Sequence, residues 1–148
     1  MINLSVINQD LEEIIKETGP ELFKLEGKKV LLTGASGMLA GYLVRTLIFA
    51  NQTIFKKPVQ LYLVMRKKTF PFGLEKFLHY LFLDIGEESP KVKGIDYIIH
   101  AASKAAPKIY MDHAIDTLRS NILGVYNLLK LCNQKTKSFL LFSSGEIY

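Results

Sequence analysis

Three small residues at fixed spacing carry the first chemical signal of this chain: Gly34, Gly37 and Ala40 follow directly on the apolar run Val30-Leu31-Leu32 and its terminal Thr33. A glycine at 34 lets the backbone turn sharply off a strand. A glycine at 37 removes the side chain that would hold a pyrophosphate away from the main chain, and a small residue at 40 lets the next helix pack closely on the strand. Amides opening that helix, in the segment Ser36-Gly37-Met38-Leu39, then face the anion. The expected chemistry is a phosphate cradle. Leu39, Leu43, Leu47 and Ile48 recur at helical spacing and supply the helix that such a turn has to open.

Other chemistry-bearing residues fall where further apolar runs end. Arg66-Lys67-Lys68 follows Leu61 to Met65, Asp84-Ile85 follows Tyr80 to Leu83, His100-Ala101-Ala102-Ser103 closes the run from Tyr97, and Ser143-Ser144-Gly145-Glu146 follows Phe139 to Phe142. In open α/β sheets ligands bind outside the carboxyl ends of the strands, where these segments lie. Arg66 stands where an acidic residue would bond the ribose 2′-hydroxyl of NAD. A basic residue there accepts the 2′-phosphate of NADP, yet a guanidinium also stacks on adenine, so NAD and NADP both stay open as cofactors. His100 taken alone reads as a structural histidine. His79 and His113 have no ligand spacing with acids or the cysteine, so no metal site is expected.

These positions require a scaffold of strands alternating with helices. The spacing predicts strands near Lys29 to Thr33, Val59 to Met65, Tyr80 to Leu83, Tyr97 to Ala101 and Ser138 to Phe142. Helices are predicted near Met38 to Asn51 and Asp112 to Gln134. The near-continuous apolar runs Leu61 to Met65 and Phe139 to Phe142 suit strands buried on both faces, so the expected fold is a doubly wound α/β parallel sheet of the Rossmann type. The connections flanking the third strand carry Pro71, Gly73 and Pro90 and are read as irregular. Leu11, Ile14 and Ile15, stopped by Gly19-Pro20, mark a short helix, giving an N-terminal helical appendage over 1–26 and a dinucleotide-binding domain over 27–148.

Composition narrows the class further. With 148 residues, 49% of them apolar and 22% charged, one globular domain is expected. The net charge of +5 is concentrated in Lys56-Lys57 and Arg66-Lys67-Lys68, without a stripe interleaved with aromatics, so no nucleic-acid partner is expected. The single cysteine, Cys132, lies in the helical pattern Leu128-Leu129-Leu131 and reads as a small buried hydrophobe in a reducing compartment. No apolar run nears the roughly eighteen residues of a span, and Asp10, Glu12, Glu13 and Glu17 crowd the start. A cytoplasmic protein without signal peptide or membrane contact is expected.

Taken together, the TGxxGxxA turn at 33–40, Asp84-Ile85, His100 to Ser103, Asn121 with Gly124 and Asn127-Leu128-Leu129, and Ser143 to Tyr148 occur in the order seen in one family. From about Gly27 to Tyr148 the chain resembles the N-terminal half of an extended short-chain dehydrogenase/reductase of the NAD-dependent epimerase/dehydratase group. The resemblance implies a nucleotide-sugar substrate, transient oxidation of a sugar hydroxyl, and a homodimer when the chain is full length. It implies that Gly34, Ser36, Gly37, Met38, Leu39, Arg66, Asp84, Ile85, Ala101, Ala102, Ser103 and Asn121 contact the dinucleotide, with Asp84 on the adenine amine and Ile85 on its ring. It makes Ser144 the proton-handling hydroxyl and Glu146 an auxiliary acid or base. Gly145 stands where the dTDP-glucose 4,6-dehydratases carry an aspartic acid and the UDP-glucuronate decarboxylases a serine, which makes the decarboxylases the easier comparison.

The family's Tyr-x-x-x-Lys pair is not in the chain. Tyr126 and Lys130 have the spacing but fall on the helix before the fifth strand, where residues four apart simply share a face. The sheet and the site are therefore expected to be incomplete on the C-terminal side, as in a fragment. A non-catalytic dinucleotide-binding module, acting as a sensor or partner subunit, is the alternative.

Overall fold

The structure, a computed structural model, describes residues 4–103 and 111–143. Five parallel strands form one sheet: β1 (Lys29–Thr33), β2 (Gln60–Met65), β3 (Leu78–Phe82), β4 (Tyr97–His100) and β5 (Ser138–Leu141), in the order β3-β2-β1-β4-β5. Chain order reverses between β1 and β4, which makes the carboxyl end of that pair the natural crevice of the fold. The register sets Thr33 opposite Val64 on one side and His100 on the other.

Burial explains why β1 is central. Val30, Leu31 and Leu32 are all fully buried, and side chains alternate between the two faces of the sheet. Val30 and Leu32 join Ala40, Val44 and Leu47 of helix α2 (Met38–Thr53) in one core, whereas Leu31 joins Ile98, Ile85 and Leu128 in a second. Each such side chain contributes about 2 kcal/mol of apolar burial. Two cores on two faces are what a doubly wound sheet requires. At the N-terminus, α1 (Leu4–Thr18) packs on α2, Leu11 is buried, and the Tyr42 hydroxyl donates to Asp10 Oδ2 at 2.9 Å. A 3₁₀ turn, Gly19–Leu25, then leads into β1 and buries Leu22.

Two elements differ from the sequence reading. The helix expected near Asp112 to Gln134 is α3 (Ala114–Leu118), a π-helical turn (Arg119–Leu123) and α4 (Gly124–Leu129). Past Leu129 the chain tightens, the Leu131 and Cys132 amides bonding three residues back to the Leu128 and Leu129 carbonyls, and the Asn133 side chain then accepts from the Lys135 amide at 2.9 Å in a local turn. The run Phe139 to Phe142 is not buried on both faces either: Leu140 and Leu141 are 49% and 47% exposed. In the described sheet β5 has a bonded neighbour only in β4, an edge in keeping with a sheet incomplete on its C-terminal side, but the burial expected on both faces is not there. Elsewhere β3 runs Leu78–Phe82, two residues earlier than expected, and the described connections flanking it hold turns without helix.

Candidate functional site

The glycine turn sits at the β1 end, beside the reversal of strand order. Gly34 has φ +74°, a left-handed conformation that glycine adopts freely, and a Cβ placed on it would come within 2.5 Å of the Ala101 carbonyl oxygen. Gly37 donates its amide to the Gly34 carbonyl at 2.8 Å and caps α2 in extended conformation. No side chain caps α2, and its first turn holds no acidic residue, so the opening amides keep their hydrogen-bonding capacity and partial positive charge for an anion. Ala40 is buried against the sheet, and a Cβ on Gly41 would lie 3.3 Å from the Ala35 carbonyl, which shows how tightly α2 is drawn onto the turn. The geometry fits a pyrophosphate.

Thr33 organises the floor of the crevice. Its fully buried hydroxyl accepts the amides of Ala101 and Ala102, each at 3.2 Å, and lies 2.7 Å from His100 Nδ1. With both lone pairs engaged, Thr33 gives its proton to Nδ1, so the histidine carries its own proton on Nε2, facing the Ser120 carbonyl at 3.3 Å. One hydroxyl thereby locks the backbone of the β4 end against the β1 end. The sequence did not single out Thr33 or Ser120.

Burial holds His100 below the usual histidine range, with the Ser120 carbonyl partly opposing it. The folded state therefore keeps the ring neutral while the unfolded chain takes a proton near pH 6.5. Because the folded value is depressed, stability falls as pH drops below about 6.5, by no more than about 1.4 kcal/mol per pH unit from this group. His100→Asn should remove that contribution. Urea unfolding of both proteins at pH 7.5 and 5.5 checks it, and equal losses of stability on acidification would contradict the assignment.

The cleft holds about 230 Å³ and is lined by Thr33, Gly34, Ser36, Gly37, Arg66, Asp84, Ile85 and Ala101 to Ser103, together with Val64, Met65, Leu83 and Ser120. Nine residues singled out in the sequence thus meet in one place, from four separate segments. Asp84 is partly engaged already, its Oδ1 accepting from the Gly86 amide at 2.8 Å in a local turn. The Asn127 side chain donates to the Ile85 carbonyl at 2.9 Å, and a Cβ on Gly124 would lie 3.2 Å from Ile85 and 3.3 Å from His100. These two helix residues hold the strand ends in place.

Met38 and Leu39, whose amides open α2, have side chains 77% and 62% exposed. Asn121 is exposed and absent from the lining, and Ser120 lines the cleft instead. Both residues lie in the π-helical turn, whose extra residue rotates the helix faces away from the 3.6-residue period. Ser144 and Glu146 lie outside the described residues. Tyr126 and Lys130 are away from the cleft, with the Lys130 ammonium 4.2 Å above the Tyr126 ring.

Burial raises the Cys132 thiol above its ordinary value, which keeps it protonated. Among the described residues no group of three His, Cys, Asp or Glu side chains could hold a metal, and no helix is long and apolar enough to cross a membrane.

Comparison with known proteins adds three findings. The model of the NAD dependent epimerase/dehydratase family matches residues 30–148. UDP-glucuronic acid decarboxylase 1 of Xenopus tropicalis is 30% identical over 145 residues, covering 95% of this chain and 33% of its own. This chain spans about a third of the length of the curated relatives it matches. Among solved structures, the epimerase Mth375 from Methanothermobacter thermautotrophicus superposes with a TM-score of 0.68 at 21% identity, over 88% of this chain and 39% of that one. MoeE5 in complex with UDP-glucose and NAD gives 0.63 at 23% identity, over 81% and 38%.

Proposed function

Because the chain belongs to the NAD dependent epimerase/dehydratase family, we propose that it supplies the dinucleotide-binding part of an enzyme that remodels a nucleotide sugar through transient oxidation of a sugar hydroxyl. The observation carrying this reading is the convergence of the glycine turn, Asp84-Ile85 and Ala101 to Ser103 on one cleft at the strand-order reversal. In that reading the α2 amides bind the pyrophosphate, Ile85 packs on the adenine and Asp84 accepts from its amine. Ala101, Ala102 and Ser103 leave room for sugar and phosphate to pass. A bound nicotinamide supplies the hydride acceptor. By its place in the family motif Ser144 would hold a proton at the reacting sugar oxygen, with Glu146 as an auxiliary acid or base. The relatives favour a UDP-sugar, and Gly145, which like the decarboxylases' serine lacks a carboxyl, makes the decarboxylases the easier comparison although it matches neither branch. The single cysteine, which leaves no internal disulfide, suits a reducing, cytoplasmic setting.

The test is to extend the coding sequence past Tyr148 and assay the whole product. A downstream Tyr-x-x-x-Lys with release of carbon dioxide from UDP-glucuronate supports the proposal. A native stop after Tyr148, with dinucleotide binding and no turnover, would replace it with the non-catalytic module.

We also propose that the full-length protein is a homodimer through α3 and α4. The helical run carries its apolar side chains outward, with Ile115, Leu118, Ile122, Tyr126 and Leu129 49–76% exposed, while Thr117 and Ser120 are half-buried on the inner side. An outward apolar stripe is the reverse of a solvent-facing helix. At about 100 Å² per side chain it offers on the order of 500 Å² per copy, or about 1,000 Å² across a symmetric pair, the lower end of specific interfaces. Sedimentation of the wild type should show a dimer that Ile115→Lys with Ile122→Lys converts to a monomer. A monomeric wild type would contradict this.

A further inference from the structure

We propose that the face formed by the amino ends of the five strands docks on an anionic lipid surface, holding the protein at a membrane with its cleft turned away from the bilayer. This face lies at the opposite end of the parallel sheet from the glycine turn, so the proposal stands apart from the dinucleotide reading.

In a parallel sheet every strand starts at the same end, and residues scattered along the sequence collect there. Each start carries a lysine. Lys29 opens β1, Lys57 lies three residues ahead of β2, Lys76 two ahead of β3, Lys93 four ahead of β4 and Lys137 one ahead of β5. Backbone bonds draw the starts together: the Gly27 amide donates to the Lys57 carbonyl at 3.0 Å, the Asp96 amide to the Lys29 carbonyl at 2.9 Å and the Lys137 amide to the Asp96 carbonyl at 2.7 Å. The Lys29 ammonium also lies 4.0 Å from where a Cβ on Gly94 would stand, next to Lys93. At about 4.8 Å between neighbouring strands, the five starts span roughly 20 Å.

The fold makes no use of these charges. Among the described residues none of the five ammoniums has an ion pair or a hydrogen bond. Two carboxylates at this end serve the backbone instead: Glu26 Oε1 accepts the Lys56 and Lys57 amides at 2.8 and 2.9 Å, and Asp96 Oδ2 accepts the Lys29 amide at 2.9 Å. Segments 26–29, 56–60, 75–78, 91–97 and 135–138 together hold nine lysines against three carboxylates, a surplus larger than the net charge of +5 on the whole chain. The basicity of the protein therefore resides on this one face.

Lysine, a compact and hydrated point charge, suits a diffuse anionic surface, whereas readout of nucleic acid favours arginine, and Arg45, Arg66 and Arg119 all lie elsewhere. At the border of the face Phe23 is 48% exposed, its ring edge-on to Phe55 just ahead of Lys56, an aromatic placed to enter a headgroup layer. The sequence reading expected no membrane contact because no apolar run could span a bilayer. A surface contact needs no span. The cytoplasmic leaflet is the anionic one, in keeping with the setting proposed above, and docking by this face leaves the cleft open to a water-soluble nucleotide sugar.

The experiment is flotation of the chain with vesicles of phosphatidylcholine alone or mixed with phosphatidylserine, at low and raised salt. It is repeated with Lys93→Glu plus Lys137→Glu, and with Lys67→Glu plus Lys68→Glu, which change the net charge equally at the opposite end of the sheet. All four lysines are exposed, so the substitutions leave the fold intact, which circular dichroism checks. The expected result is binding to the mixed vesicles at least about tenfold tighter than to neutral ones, lost at raised salt, weakened at least about tenfold by the first pair and retained by the second. Equal binding to both kinds of vesicle, binding to neither, or equal weakening by the two pairs would overturn the proposal. Tighter retention on duplex RNA than on the mixed vesicles at the same salt would make nucleic acid the occupant and overturn the lipid surface.

Discussion

Replacing Gly37 with valine should abolish dinucleotide binding and leave the fold standing. Gly37 has φ −75° and ψ 163°, a conformation open to valine, and among the described residues the only atom within 4 Å of its missing Cβ is the Gly34 carbonyl oxygen at 3.2 Å. That contact is relieved by a shift of a few tenths of an ångström, so the stability cost should stay near about 1 kcal/mol. The loss in binding is far larger, because a branched side chain at the mouth of α2 stands between the helix amides and any pyrophosphate. Affinity should fall by at least about 100-fold, on the order of 2.7 kcal/mol. Calorimetry beside a thermal melt separates the two effects. Retained affinity would remove the turn from the site.

Gly34→Ala is expected to act on the fold itself. A left-handed backbone at φ +74° costs an alanine roughly 1–2 kcal/mol. The added carbon would also lie 2.5 Å from the Ala101 carbonyl oxygen and 2.6 Å from its carbon. Those atoms are backbone at the end of β4, tied to Thr33 through the Ala101 and Ala102 amides, so they cannot swing aside as a side chain would. The expected loss is about 3 kcal/mol or more, a large share of the roughly 5–15 kcal/mol that holds a domain folded. Urea titration measures it, and a loss below about 1 kcal/mol would mean that the β1 and β4 ends are not locked together as described.

The two glycines were legible in the sequence because the turn leaves a signature in residue types: only small residues fit a left-handed bend pressed on neighbouring backbone. The strands were legible because parallel strands read as short apolar runs, and β1, buried on both faces, was placed at Lys29–Thr33 without error. What escaped depends on register and helix phase, which no local pattern encodes. Thr33 matters because pairing sets it opposite His100, and that pairing is set by the whole sheet. Ser120 displaces Asn121 from the cleft because a π-helical turn adds a residue to the helix. Leu140 and Leu141 are apolar like any central strand, and only the order of strands reveals that they lie at an edge of the described sheet.

The central claim is that the crevice between the β1 and β4 ends binds the phosphates of a dinucleotide through the glycine turn. Its most direct test is a nuclear magnetic resonance titration of the isotopically labelled chain with NAD and NADP, following backbone amides. The account predicts saturable shifts centred on Gly34, Gly37, Met38, Leu39 and Ala101 to Ser103, absent in Gly37→Val. Undisturbed amides at those positions in the presence of millimolar dinucleotide, or shifts centred elsewhere on the chain, would contradict it.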